Sequence, residues 1–156
     1  MNAPTMKLHL LASVLLLVST SVTAKDLTDD PGWREAGGLV VYLGVMPAAI
    51  IRGHVPRHPD PAVPTTIRHS YHVMVAVFDA ISGERVEDAT IEAQVAPHRG
   101  SAPTQPLEPM KIADTVTFGN YFGLPVEGLY RIHIVIRRPG VRGAVAVDFT
   151  YQHRLR

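Results

Sequence analysis

Near the C-terminal end, apolar residues return at every second position. Tyr130, Ile132, Ile134 and Ile136 alternate with Arg131, His133 and Arg137. A second run, Val145, Val147, Phe149 and Tyr151, alternates with Ala146, Asp148 and Thr150. A period of two sorts side chains onto the opposite faces of an extended strand, which a helix cannot do. Residues 89–95 repeat the pattern with Ile91, Ala93 and Val95 against Thr90, Glu92 and Gln94. Residues 112–122 carry Val116, Phe118, Asn120 and Phe122 on one parity. The β-branched run 39–46 reads as a strand, as does 71–78, which is apolar on both parities except at His72.

The stretches between these runs exclude long helices. The chain holds 13 Pro and 12 Gly in 156 residues, and they fall largely between the periodic segments. Residues 52–68 and 97–109 are Pro-rich and read as surface loops, and 79–84 reads as a hairpin turn. Residues 48–52 are too few to nucleate a helix. Strands with one apolar face need a second sheet to cover them. The expected fold is therefore all-β: an antiparallel immunoglobulin-like sandwich of about seven strands, with a small barrel as the alternative. At this length it forms one domain over 39–156, after a polar lead-in over 25–38.

Residues 1–24 read as a secretory signal peptide. Lys7 supplies the positive charge, 8–18 a short apolar run, and Val22-Thr23-Ala24 a small-residue cleavage site. The apolar run is too short to cross about 30 Å of hydrocarbon, so no stable membrane anchor is expected after cleavage near Ala24. The expected location is periplasmic or secreted. Lys7 is the only charged residue before Lys25, so its removal leaves a formally neutral chain. Nucleic acid is accordingly not an expected partner. Arginines gather after Tyr130 and could face an acidic partner, although scattered Arg on exposed strand faces explains them as well.

No nucleophile elbow, phosphate loop or H-E-x-x-H motif occurs, so no enzyme is expected. Cysteine is absent, which removes disulfides, thiolate zinc sites and iron–sulfur clusters together. What remains for metal chemistry is a set of His and Met residues. Imidazole suits copper, zinc, iron and nickel, and thioether sulfur selects Cu(I). His72 and Met74 lie two apart in a strand and so share a face. His69 stands just before that strand, His54 and His58 in the first Pro-rich loop, His98 in the second, and Met110 just after it. Convergence of three or four of these seven at one end of a sandwich would make a copper site. Each also has a structural reading: the loop histidines as solvated residues, Met46, Met74 and Met110 as core fillers, and His72 as a hydrogen-bonded core residue.

Three segments carry a family resemblance: Val40-Val41-Tyr42-Leu43, Phe78-Asp79-Ala80-Ile81-Ser82-Gly83-Glu84 and Gly128-Leu129-Tyr130-Arg131-Ile132. Over about 39–137 the chain resembles the small exported sandwich proteins of periplasmic iron and copper uptake, and more loosely the FixH-like and YtkA-like domains. The resemblance implies an immunoglobulin-like fold and a His/Met copper site. It also implies a Glu two positions after the strand histidine, where this chain has Met74, and a late-strand His two positions beyond His133. The expected function is binding or delivery of a transition metal, copper ahead of others. The alternative is a metal-free interaction or chaperone-like module with a protein partner in the cell envelope.

Overall fold

Residues 32–52, 69–112 and 114–154 are described by a computed structural model of the chain. The expected leader and almost all of the first Pro-rich loop, with His54 and His58, lie outside the described residues. In chain order the elements are β1 (Trp33–Ala36), β2 (Leu39–Pro47), α1 (Ala48–Arg52), β3 (Ser70–Asp79), β4 (Thr90–Pro97), β5 (Thr104–Ile112), β6 (Thr115–Gly123), β7 (Gly128–Arg137) and β8 (Val145–His153).

Every pairing among these strands is antiparallel, in the order β1-β2-β3-β6-β5-β4-β7-β8. The fold is the expected all-β sandwich, and the ladder runs through both of its layers. β5 makes the corner: Thr104 to Leu107 pair with β4, and Glu108 to Ile112 pair with β6. At the far ends β1 meets β8, where Arg34 Nε donates to the Asp148 carbonyl at 3.1 Å. The guanidinium of Arg34 also lies over the Phe149 ring. The arrangement is thus a sandwich with barrel-like continuity.

The period-two runs do what they predict. Val41, Val73, Val75, Val77, Phe118 and Phe122 face Ile91, Ala93, Val95, Ile132, Ile134, Ile136 and Phe149 in one buried core. Between them the residues of opposite parity point outward. His133 is among these, its Nδ1 2.9 Å from Asp148 Oδ1, and Arg137 is paired with Glu92.

Three local expectations are corrected. Residues 97–109 are not all loop, because β5 begins at Thr104 and contains Pro106 and Pro109. Each half of β5 bonds along one edge, so a proline nitrogen can face the other edge without costing a ladder hydrogen bond. The lead-in also yields a strand, β1, despite its two charged residues. It is held by a two-residue turn in which Gly37 and Gly38 both have positive φ, the tightest kind of hairpin connection. A side chain at Gly37 would also strike Val145 of β8, so this glycine lets the two ends of the ladder approach. Finally, residues 48–52 do form a one-turn helix, anchored by Ala48, which is 1% exposed. Tertiary burial supplies what so short a segment lacks in isolation. The described strands number eight where about seven were expected.

Candidate metal centre

The outward face of the β2-β3-β6 layer departs from the usual polar surface. β3 is the central strand there, and His72, Met74, Ala76 and Phe78 point outward from it. Register places Met46 of β2 and Tyr121 of β6 on either side of His72. It places Gly44 and Gly119 on either side of Met74. Two glycines flanking a methionine leave a trough in the sheet surface, because neither contributes a side chain.

Neighbouring side chains fill that trough. A Cβ built on Gly119 would stand 2.8 Å from His72 Nε2 and 2.7 Å from Met110 Cε. The imidazole nitrogen and the thioether end of two distant strands therefore converge above one glycine. Met74 leans the other way, its methyl 3.4 Å from the corresponding point on Gly44. His72 is 4% exposed and its ring lies against Tyr121, with centroids 4.7 Å apart. Met46, Met74 and Met110 are half-buried.

The other predicted residues are placed differently. His69 is exposed at the turn into β3, with φ +72°, and its carbonyl accepts from the Leu124 N–H. His98 is exposed just beyond β4, in the opposite layer, and its own N–H is donated to the Leu129 carbonyl. Neither is among the atoms met above Gly119. Sequence reasoning did not foresee the roles of Gly44, Gly119 and Tyr121, nor that Met46 lies opposite His72. The two glycines carry a usable signal, since isolated Gly inside a strand marks a close approach.

A second buried imidazole, His153, is fully enclosed by the rings of Tyr71, Tyr130 and Tyr151. Its ring contacts are with these three tyrosines.

The donor set bears on which ions fit. Among the described residues no group of three His, Asp or Glu is gathered to hold a metal. What is gathered over Gly119 is one imidazole and the end of one methionine, Met110, with Met46 and Met74 on the same face. Such a set matches a soft, late transition metal better than a hard cation such as Mg²⁺ or Ca²⁺.

No protein-family model matches the chain, and no curated protein does. Solved structures do match its fold. FetP of uropathogenic Escherichia coli strain F11, expressed in the periplasm of its recombinant host, aligns with a TM-score of 0.59 at 13% identity. That alignment covers 78% of this chain and 91% of FetP. A DUF4426 family protein of Pseudomonas aeruginosa aligns at 0.54 and 15% identity, over 78% and 94% of the two chains. The copper-reconstituted P19 protein of Campylobacter jejuni aligns at 0.59 and 14% identity, over 78% and 92%. The fold is thus similar to that of FetP and of the copper-reconstituted P19 protein.

Proposed function

We propose that this chain is an exported, non-enzymatic carrier of a transition metal, with copper as its cargo. The observation that carries the reading is the meeting of His72 Nε2 and Met110 Cε above Gly119. His72 supplies a nitrogen donor, Met110 a sulfur donor, and Met74 and Met46 stand one position away on the same face. Thioether donors suit Cu(I), and unlike thiols they are not consumed by disulfide formation in an oxidising compartment. Fold neighbours crystallised with copper support the same reading. The leader-like N-terminus supports a periplasmic location.

The test is an anaerobic Cu(I) titration against a colorimetric chelator, using the chain from Lys25 onward, which keeps every described strand. Stoichiometric competition is expected. Met110→Leu, which keeps the apolar volume and removes the sulfur, should lower affinity about tenfold or more. Failure of the wild-type chain to compete would reject copper as cargo.

A second reading, a metal-free module that binds a protein partner of the cell envelope, is favoured by one observation. On the same outer face Trp33 and Tyr42 are nearly half exposed and lie directly opposite each other in the ladder. Tyr42, Val40, Ala76, Phe78 and Arg85 line a shallow cavity beside them. Pull-down of one envelope protein by the metal-free chain, lost in Tyr42→Ser, would support this reading.

A further inference from the structure

The row of residues across the sheet at Met74 continues past Gly119 onto β5. In order it reads Gly44, Met74, Gly119 and Glu108. Residues directly opposite each other in an antiparallel ladder share a face, with β-carbons about 4.5–5.5 Å apart. Glu108 therefore lies on the outward face, across from a residue that has no side chain. It stands two positions from Met110 on the same strand and the same parity. The space above Gly119, where His72 Nε2 and Met110 Cε already meet, is within the span of a glutamate side chain. The Glu108 side chain is exposed, and among the described residues no hydrogen bond or ion pair holds its carboxylate. Lys111, the basic residue nearest to it on β5, is engaged instead by Asp114 at 3.5 Å.

We infer that Glu108 is the oxygen donor of this centre, and that it enables one site to hold Cu(II) as well as Cu(I). The inference rests on the metal-carrier reading and adds a residue to it. The buried part of the site offers nitrogen and sulfur, which satisfy the cuprous ion. The cupric ion is harder and favours nitrogen and oxygen. A carboxylate on the exposed rim can swing over Gly119 for the oxidised ion and stay in water for the reduced one. His72 keeps its place against Tyr121 in both states, and strand register keeps Met110 on the same face.

The experiment uses Glu108→Gln, which keeps size and removes the charge at an exposed position where folding is not at stake. Cu(I) affinity is measured anaerobically by chelator competition, and Cu(II) affinity by competition in air with low-temperature electron paramagnetic resonance. Glu84→Gln, in the distant hairpin, serves as the charge control. The expected result is a loss of about 10–100-fold for Cu(II), a change within about twofold for Cu(I), and an altered Cu(II) spectrum. Unchanged Cu(II) affinity and spectrum would overturn the inference while leaving the carrier reading intact. Equal losses for both ions would overturn it too, since a general charge effect acts on either. A wild-type chain that holds neither ion would overturn the carrier reading and this inference together.

Discussion

His72 and His133 both point outward from long strands, yet the surfaces around them differ in kind. Around His133 the outer face of the β4-β7-β8 layer is an ordinary solvated surface. His133 meets Asp148, Arg137 meets Glu92, and each pair is substantially open to water. Around His72 the outer face holds three methionines, two glycines and a tyrosine, and the histidine itself is buried. Strand geometry is the same in both layers, so backbone does not explain the contrast. What differs is charge and side-chain volume. One layer spends its outward positions on solubility, whereas the other packs methionines and one imidazole over two glycines.

The sharpest way to break this contrast is to remove each imidazole in turn. His72→Ala should weaken Cu(I) binding by about 100-fold, and His133→Ala should leave it within about twofold, by chelator competition. Equal losses would mean that the two faces are not chemically distinct. Next in size is Gly119→Ala. The added methyl would press on Met110 Cε and on His72 Nε2. Met110 can swing aside, but His72 is held against Tyr121, so a loss of about tenfold in affinity is expected together with a lower Tm. Smaller still is Glu92→Gln on the solvated layer. Its pair with Arg137 is exposed, so chemical denaturation should register less than about 1 kcal/mol.

The smallest effect sharpens the contrast from outside both faces, at the hairpin after β3. Asp79 accepts from the Ser82 and Ile81 N–H groups, and these bonds, with Arg138 nearby, hold its carboxyl below the ordinary carboxylate range. A lowered folded-state value means that the stabilisation is full above the ordinary range and is lost as pH falls through the lowered value. Asp79→Asn should therefore lower Tm slightly near neutral pH, and the difference from wild type should close in acid. Copper affinity at neutral pH should not move.

How much of this was legible in advance depends on how far apart the cooperating residues are in sequence. The alternations at Tyr130–Ile136 and Val145–Tyr151 fell on strands because period two is a local property. His72 and Met74 share a face for the same reason. Met110 reaches His72 only because β6 lies between β3 and β5 in a particular register, and no local pattern encodes that. Glu108 was hidden more deeply, inside a stretch whose prolines read as loop. β1 was hidden by its brevity and charge, since its stability comes from the Gly37-Gly38 turn and from Arg34 reaching β8. His69 and His98 stand at a turn and just beyond β4, and neither is among the atoms nearest to the Cβ position of Gly119.

The prolines of β5 have one more effect. A strand that changes partners midway leaves half of each edge without a neighbour, and such edges invite other chains to add to them. Pro106 and Pro109 sit one in each half, and neither has an N–H to offer an incoming strand. The corner therefore offers an incoming strand little to bond, since both prolines lack a donor and the Pro106 carbonyl already accepts from the Asn120 side chain.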